Sequence, residues 1–468
     1  MGKIISSYVF PHPPVLVPDV GKGNEKLAKA TVNAAMKAAA SIATEKPDTI
    51  IITTPHGPVF SDYIYISQDS SLYGNFKNFG SSCELEFSND TELVKNIVEL
   101  SAKEGIPAGG LDDYTLRRFK ADKKLDHGAL VPLYFVSHEI KGVKIVHIST
   151  AFLSFEELYR FGMCIKEAVE KSQKRVVFIA SGDLSHRLSD ESHYGYNEKG
   201  PVFDKMIVES FKTVDVEKLF TMDEGFCEEA GECGLRSFLM MFGAFEGVGL
   251  NSEVLSYEGP FGIGYSVARF EAGEADPERK IYDAIMEKKK KRMQEIKDNE
   301  DNYVALARKS LESYILNGRM IEIPDGLSQE MLERRAGTFV SLKINGQLRG
   351  CIGTIAPTTD SIACEIVRNA VSAGTEDPRF DPVEKDELGE IVYSVDVLDA
   401  PEPIESMEQL DVLRYGVIVE SGGRRGLLLP NLEGIRTPKE QVSEALRKAG
   451  IRKGEKYSME RFEVVRHH

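Results

Sequence analysis

Residues 49–58 read TIIITTPHGP, and this stretch decides the fold of the first half of the chain. Its first six residues are all β-branched, which is typical of a short strand buried on both faces of a parallel sheet. Helix and strand patterns alternate around it, and this alternation predicts an α/β domain in which helices flank a layered, largely parallel sheet. The other predicted elements of this domain are strands at 4–10, 176–181 and 263–270 and helices at 25–44 and 155–172.

A highly charged segment marks the boundary between two domains. Asp276-Pro277 has the form of a helix N-cap followed by proline, and the predicted helix runs towards Lys297. Its unbroken basic run at 288–292 is typical of a solvent-exposed helix face. The predicted units are a first domain at 1–272, a charged helical linker at 273–299 and a second domain at 300–468.

The second domain shows the patterns of β-hairpins. Asn345-Gly346 and Gly422-Gly423 are strong signals for two-residue hairpin turns. This pattern predicts a smaller α+β domain with a mostly antiparallel sheet. Its predicted elements are strands at 338–344, 348–352, 416–420 and 425–429 and helices at 303–316, 360–373 and 437–448.

The composition excludes several kinds of partner and location. The chain has 468 residues and a net charge of −16, so a nucleic acid would meet long-range repulsion. Its six cysteines include no CxxC pair and indicate the reducing cytoplasm rather than a disulfide framework. No stretch approaches the roughly 20 apolar residues of a membrane-spanning helix, so no membrane partner is expected.

Three histidines follow directly after predicted strands of the first domain. His12 follows the first strand, His56 the second and His186 a third. Ligands of open α/β sheets bind beyond the carboxyl ends of the strands, so these side chains could converge on one point. Neutral imidazole binds iron, copper and zinc, and two histidines with one carboxylate suit Fe(II) and oxygen chemistry. Glu232 is the favoured carboxylate, and the adjacent Cys233 is the alternative ligand as a thiolate.

Four separated motifs carry a resemblance that covers residues 1 to about 270. In their order along the chain they resemble the LigB-like class III extradiol dioxygenase superfamily, which includes the Memo-like proteins. The resemblance implies a non-haem iron oxidoreductase that cleaves the ring of a small catecholic substrate with O2. The motifs are HPP at 12–14, PHG at 55–57, LDHGALVPL at 125–133 and SGDLSH at 181–186.

The resemblance also implies which residues bind the metal. His12 and His56 would be ligands of Fe(II), with zinc or copper as alternative ions, and Glu232 or Cys233 would be the third ligand. Ring-cleaving members of the superfamily use a carboxylate here, whereas Memo-like members have a cysteine in the corresponding region. With Glu232 favoured, we expect Glu232→Ala to weaken metal binding more than Cys233→Ala.

Further residues of the first domain are candidates for catalysis and substrate binding. The resemblance implies that His186 is the acid/base residue and that His127 lines the substrate pocket. A histidine suits proton transfer because its pKa lies near neutral pH. Asp183, three residues before His186, could orient it, and Tyr194 could line the pocket, although a buried structural tyrosine is the more common case.

One cysteine of the second domain is a candidate nucleophile. Cys351 lies in LRGCIG at 348–353, where flanking glycines allow close approach and Arg349 could lower the thiol pKa. Together with Arg379, in the proline-containing loop at 376–382, these residues could form a reactive cleft that binds substrate. The competing interpretation is a buried cysteine among glycines that serve tight packing.

A second resemblance covers residues from about 300 to 468. LRGCIG at 348–353, DPRF at 377–380 and GLLLP at 426–430 are similar to segments of the AMMECR domain family. Such domains accompany Memo-like and radical SAM proteins in the AmmeMemoRadiSam system. The chain has no CxxxCxxC motif, so a radical SAM enzyme would be a separate partner. Related proteins associate, which implies a homo-oligomer.

Three functional hypotheses follow from these observations. The first is an extradiol-type iron oxidoreductase fused to an AMMECR domain. The second is a metal- or redox-binding module that serves a radical SAM partner without acting as a dioxygenase. The third is a hydrolase that depends on zinc or on the Cys351 thiolate. Oxygen uptake with a catecholic substrate separates the first hypothesis from the other two.

Overall fold

The computed structural model describes residues 1–344, 346–432, 434–452 and 454–468. The chain divides into two compact units, Met1–Glu287 and Lys288–His468, and this division falls inside the segment predicted as a linker. The helix predicted from Asp276 begins later than expected. A 3-10 turn at Pro277–Arg279 comes first, capped by the Asp276 carboxylate, and the α-helix follows it.

A six-stranded sheet organises the first unit. The strands of this unit are β1 (Lys3–Phe10), β2 (Thr49–Thr54), β3 (Ile64–Tyr65), β4 (Ser71–Asn75), β5 (Glu84–Ser88), β6 (Ala108–Gly109), β7 (Lys144–Ser149), β8 (Arg175–Ser181), β9 (Val248–Glu258) and β10 (Tyr265–Ala275). The sheet order is β7-β2-β8-β1-β10-β9. The first four strands in this order, β7, β2, β8 and β1, run parallel, whereas β10 pairs antiparallel with β1 and β9. The predicted α/β fold with a largely parallel sheet is confirmed.

Helices cover both faces of this sheet. They are α1 (Pro18–Gly21), α2 (Lys29–Glu45), α3 (Thr91–Lys103), α4 (Asp113–Arg118), α5 (His127–Glu139), α6 (Phe155–Lys171), α7 (Lys199–Thr213), α8 (Glu224–Ala230), α9 (Leu235–Gly243) and α10 (Ile281–Asp298), the last of which contains the division between the units. Ile50 and Ile52 of β2 belong to the core with α2 and α5, and Ile51 belongs to the core with α3, α6, α7 and α9. Burial on both faces explains why β2 contains only β-branched residues.

Three neighbouring parallel strands end at the same edge of the sheet. β2, β8 and β1 lie side by side, and their carboxyl ends are Thr54, Ser181 and Phe10. His12 follows β1 by two residues and His56 follows β2 by two residues. The topology therefore brings the turns that carry these histidines to one place.

The second unit is an α+β domain with antiparallel sheets. Its helices are α11 (Asn302–Asn317), α12 (Gln329–Glu333), α13 (Ile362–Thr375) and α14 (Pro438–Ala449), and its strands are β11 (Thr338–Ile344), β12 (Gln347–Gly353), β13 (Val392–Leu398), β14 (Glu402–Ile404), β15 (Gly416–Ser421), β16 (Arg424–Leu428), β17 (Ser458–Phe462) and β18 (Val464–His467). Two four-stranded sheets form, β12-β11-β13-β18 and β14-β17-β15-β16, where the pattern had indicated one. Helices α11 and α13 pack on the first sheet and α14 on the second.

Both predicted hairpins pair as expected. β11 pairs with β12 and β15 with β16, each antiparallel. Gly422 and Gly423 have φ of 56° and 78°, a region that glycine occupies without strain, so this turn requires its two glycines. Gly346 also has a positive φ, of 83°, and Asn345 lies outside the described residues. In the described part of the chain, no helix is long and apolar enough to cross a membrane.

Candidate metal centre

His12 and His56 meet at the carboxyl edge of the first sheet. Their Nε2 atoms are 2.9 Å apart, and the two rings are nearly perpendicular. Nδ1 of His12 lies 2.9 Å from Oγ of Ser181, and this hydroxyl donates to the carbonyl oxygen of Gly128 at 2.5 Å. Because the only hydroxyl proton of Ser181 is used there, Nδ1 of His12 donates, and its Nε2 carries the lone pair. That lone pair is the form of imidazole that binds a metal ion.

Cys233 supplies a sulfur atom to the same point. Its Sγ lies 3.6 Å from Nε2 of His12 and 3.6 Å from Nε2 of His186. The turn that carries Cys233 reaches the site because two glycines touch: a Cβ on Gly182 would lie 2.2 Å from Cα of Gly234. Two overlapping groups of potential metal ligands result, His12–His56–Cys233 and Asp183–His186–Cys233.

Glu232, the favoured third ligand, has a different role. Its Oε2 atom accepts a hydrogen bond of 2.7 Å from the backbone N–H of Leu235 and so caps α9. It belongs to neither group of potential ligands among the described residues. Adjacent residues of this turn point in different directions, and the sulfur of Cys233 is the one that faces His12, so the geometry favours Cys233 over Glu232 as the candidate third ligand.

His186 and Asp183 border the centre but do not pair as expected. The Asp183 carboxylate accepts a hydrogen bond of 2.9 Å from the backbone N–H of His12, and its other oxygen lies 3.8 Å from Nε2 of His12. It therefore orients the turn that carries His12, and the described part of the chain shows no hydrogen bond between Asp183 and His186. The ring of Tyr194 lies 5.0 Å from that of His186, and Tyr194 is 57% exposed, so it is a surface residue beside His186 and not a buried one.

His127 connects the centre to a cleft. Its ring stacks on that of His56 at 4.3 Å and contacts Phe79 at 5.5 Å. A cleft of about 710 Å³ opens beside these histidines, lined by three phenylalanines and three lysines among other residues. These lining residues are Phe60, Phe79, Phe119, Lys77, Lys120 and Lys124. A small aromatic molecule would find apolar and cationic groups here.

Burial controls the protonation of the centre. It lowers the pKa of His12 to about 3 and the pKa of His56 to about 3, with neighbouring histidines adding to the effect. Burial also raises the pKa of Asp183 to about 6 and, with the charges of Asp183 and Glu232, raises the pKa of the Cys233 thiol well above its usual range. The histidines are thus neutral at pH 7 with lone pairs available, and a bound cation would reverse the effect on the thiol.

The spacing of these atoms fits one transition-metal ion. For ligand–ion–ligand angles of about 90–110°, two nitrogens about 2.1 Å from an ion are about 3.0–3.4 Å apart, and a sulfur about 2.3 Å from it lies about 3.1–3.6 Å from a nitrogen. The observed separations are 2.9 Å between the two Nε2 atoms and 3.6 Å between Sγ and Nε2 of His12. His12, His56 and Cys233 would hold the ion, and they leave positions open for other ligands.

Two residues that were not predicted from the sequence support the centre. Ser181 fixes the tautomer of His12, and its signal was its place as the first residue of SGDLSH, at the end of β8. Asp126 caps α5, whose first residue is His127, by accepting from the N–H groups of Gly128 and Ala129. An aspartate directly before a helix is an N-cap signal, so it could have been found.

In the second unit, Cys351 lies among polar residues on β12. Its Sγ accepts a hydrogen bond of 3.2 Å from Oγ of Ser341, and its backbone N–H donates to Asp377 at 2.8 Å. Burial raises the pKa of the thiol, against the hydrogen bond from Ser341 and the charge of Arg379. A raised pKa leaves little thiolate at neutral pH and favours the interpretation of a packed cysteine.

The two arginines predicted beside Cys351 have separate positions. Arg349 forms a two-pronged ion pair with Glu387, so the expectation that it lowers the thiol pKa is corrected. Arg379 pairs with Asp377 and also donates to the carbonyl oxygen of Cys351 at 3.4 Å. The glycines beside Cys351 serve packing. A Cβ on Gly350 would lie 2.1 Å from the carbonyl oxygen of Ala373 in α13, and one on Gly353 would lie 2.2 Å from the ring of Phe339.

Fold and site together define a class of protein: an α/β domain that gathers histidine and cysteine ligand atoms at one sheet edge, followed by an antiparallel α+β domain. Residues 6–268 match the family described as the catalytic LigB subunit of aromatic ring-opening dioxygenase, and residues 304–467 match the AMMECR1 family. The chain belongs to the LigB family and carries a C-terminal AMMECR1 domain.

Several proteins resemble this chain. A protein of Clostridium acetobutylicum is 47% identical over 463 residues, which are 98% of each chain, so it shares the two-domain arrangement. A protein of Thermotoga maritima is 50% identical over 153 residues, 32% of this chain and 88% of its own. The crystal structure of an uncharacterized protein from Pyrococcus horikoshii is 32% identical, with a TM-score of 0.33, and covers 35% of this chain and 88% of that chain.

Proposed function

We propose that the first domain is a metal-dependent oxidoreductase that binds one ferrous ion at His12, His56 and Cys233. The observation that carries this proposal is the spacing of the ligand atoms: Nε2 of His12 lies 2.9 Å from Nε2 of His56 and 3.6 Å from Sγ of Cys233, and all three atoms lie within 4.8 Å of one another, as a single ion requires. The tautomer of His12 supports it further, since the hydrogen bond with Ser181 leaves Nε2 free to bind. Imidazole and thiolate are both ligands of iron, with zinc and copper as competing ions.

The proposed reaction is oxidative opening of a catecholic ring with O2. The family description and the phenylalanine-lined cleft beside the centre both support this choice. A bound ferrous ion would supply the electrons that activate O2 and a point of attachment for the two hydroxyl groups of a catechol. His127 would contact the flat face of the substrate ring, because its own ring already stacks at the mouth of the cleft.

His186 is the proposed acid/base residue. Burial lowers its pKa, so the imidazole is neutral at pH 7 and can accept a proton from a substrate hydroxyl. Its Nε2 lies 3.6 Å from Sγ of Cys233, so the ring borders the proposed ligand set. The proton taken up by His186 can return to the ring-opened product in the last step. His12 is 1% exposed, so it lies on the buried side of the centre.

A second candidate function follows from the identity of the third ligand. Ring-cleaving members of the superfamily use a carboxylate, and here the third potential ligand atom beside His12 and His56 is the sulfur of Cys233. A thiolate is a softer donor and suits a module that carries copper or iron, or that transfers electrons, for a radical SAM partner. This candidate predicts a loaded metal site without oxygen uptake for any catechol.

Metal content and oxygen consumption test the proposal together. The protein is purified without oxygen, its iron, copper and zinc are measured, and oxygen uptake is followed with a panel of catechols. The His12→Ala/His56→Ala double variant is the control. The proposal expects near-stoichiometric iron in the parent, none in the variant, and catechol-dependent uptake in the parent alone. Bound metal without uptake would favour the second candidate, and a parent that binds no metal would refute both.

A further inference from the structure

One carboxylate connects the two turns that carry His56 and His127. Oδ1 of Asp126 accepts hydrogen bonds from Oγ1 of Thr54 at 2.6 Å and from the backbone N–H of Gly128 at 2.7 Å. Thr54 in turn accepts from the backbone N–H of His56 at 3.2 Å. Oδ1 of Asp126 therefore fixes the end of β2, which His56 follows, and the start of α5, whose first residue is His127.

The other oxygen of Asp126 rests on a buried histidine. Oδ2 lies 3.2 Å from Nε2 of His147, whose Nδ1 lies 2.9 Å from Oγ of Ser67. The arrangement has the composition of a hydrolytic Ser-His-Asp triad, but His147 is 0% and Ser67 1% exposed. A nucleophile must reach its substrate, so burial excludes that role. The three residues are instead a fixed support behind the metal centre.

Two glycines close the space around this carboxylate. A Cβ on Gly57 would lie 2.1 Å from Oγ of Ser149 and 3.3 Å from Oδ2 of Asp126. A Cβ on Gly128 would lie 2.3 Å from Oγ1 of Thr54. The turns after β2 and before α5 are thus packed directly against the carboxylate, and its removal would leave a gap into which both could relax.

We propose that Asp126 is a positioning residue that holds the His56 turn and the His127 helix in the geometry the metal centre requires. The inference rests on the proposed metal site, but it concerns a residue outside the proposed ligand set, which borders the cleft next to His127. Hydrogen bonds to the backbone of α5 set the position of His127, and Thr54 carries the constraint to His56. The rings of His56 and His127, which these two turns carry, stack at 4.3 Å.

The chain offers a matched control at the other end of the same strand. Asp90 accepts from Oγ1 of Thr49, the first residue of β2, at 2.5 Å, and it caps α3 through the N–H of Leu93. It also pairs with Lys174. Asp90 and Asp126 thus make the same kind of contacts at opposite ends of β2. Each accepts a hydrogen bond from a threonine hydroxyl of the strand and caps the start of a helix. Only Asp126 lies at the end that carries the histidines.

The test measures cobalt affinity in the full-length protein by titration, with the thiolate-to-cobalt charge-transfer band as the spectroscopic signal. Asp126→Ala is expected to bind cobalt about tenfold more weakly and to alter this band, at the lower end of the loss seen for residues that support ligands. Asp126→Asn is expected to stay close to the parent, because its Oδ1 keeps all three hydrogen bonds and its amide can donate to His147. Asp90→Ala is expected to lose stability without a change in cobalt affinity.

Each outcome decides the inference. Asp126→Ala with the parent's affinity and band would overturn it, and so would Asp126→Asn with as large a loss as Asp126→Ala, since charge and not position would then matter. If Asp126→Ala does not fold, Thr54→Val tests the same link, and an unchanged affinity there overturns the inference. A parent that binds no cobalt refutes the metal site itself, whereas failure of the variants alone leaves the metal site standing.

Discussion

Replacing Cys233 or Glu232 by alanine gives the sharpest test of the metal centre. The two residues are adjacent, yet only Cys233 directs a ligand atom at His12, with Sγ 3.6 Å from Nε2. Glu232 directs its carboxylate at the N–H of Leu235. We therefore expect Cys233→Ala to lose metal and Glu232→Ala to keep it, the reverse of what the sequence had led us to predict.

The structure sets the expected size of each effect. Residues that only support metal ligands contribute about 10–100-fold to affinity, so loss of a direct ligand should exceed about 100-fold, or about 2.8 kcal/mol of binding free energy. Glu232→Ala removes a helix cap, which costs about 1 kcal/mol of folding stability and lowers Tm by about 2–4 °C. One variant is expected to lose affinity at nearly constant Tm, and the other to lose Tm at constant affinity.

The assay combines metal analysis after anaerobic purification with thermal unfolding of the metal-free protein. Cys227→Ala is the matched control, because Cys227 is a buried cysteine of the preceding helix that belongs to neither group of potential ligands. It should retain the parent's metal content. If Glu232→Ala loses iron while Cys233→Ala retains it, the assignment of the third ligand is wrong.

Three further predictions concern catalysis, pH and the second domain. His186→Gln should keep its iron but lose about 100-fold in oxygen uptake with a catechol, the size expected for an acid/base residue. Stability of the metal-free protein, measured in urea, should fall from pH 6.5 towards pH 3, because burial lowers the pKa of His12 to about 3 and only the unfolded chain takes up that proton. Each such proton contributes a slope of up to about 1.4 kcal/mol per pH unit, and this contribution should be missing in His12→Gln. Asp183 and Asp204, whose pKa values burial raises to about 6 and about 7, oppose the slope in both proteins, so the difference between the parent and His12→Gln is the quantity to measure. Cys351 should react with thiol reagents more slowly than free cysteine, because burial raises its pKa, and Arg379→Ala should slow it further.

The location of the site could be predicted from the sequence because it depends on periodicity. A run of β-branched residues predicts a buried parallel strand, parallel strands end at a common edge, and His12 and His56 each follow such a strand by two residues. No side-chain detail is needed for that conclusion. The structure gives the two Nε2 atoms a separation of 2.9 Å at this edge.

The choice between Glu232 and Cys233 could not be predicted in the same way. Both residues lie in one turn, and its orientation depends on a contact between Gly182 and Gly234, which are distant in sequence. Periodicity says nothing about directions within such a turn. Chemical type favoured the carboxylate, but the backbone directs it towards the start of α9.

The second domain shows a related limit. Alternation along a strand would place Arg349 and Cys351 on one face of β12. The register between β11 and β12 shifts between Leu342 and Lys343, and Arg349 instead pairs with Glu387. A bulge of this kind depends on the partner strand, so the family motif identified the domain without giving the geometry of its cysteine.

Cys233 belongs to both groups of potential ligands, so its loss alone does not tell which group holds the ion. Variants of the histidines distinguish the two groups. An ion held by His12, His56 and Cys233 survives the change His186→Gln and is lost in His12→Ala, whereas an ion held by Asp183, His186 and Cys233 shows the opposite dependence. The hydrogen bonds favour the first group, since Ser181 leaves Nε2 of His12 with its lone pair and Asp183 is already engaged by the His12 backbone. In that arrangement the Asp183 carboxylate and the His186 imidazole do not bind the ion. His186 is then available to move a proton between substrate and product.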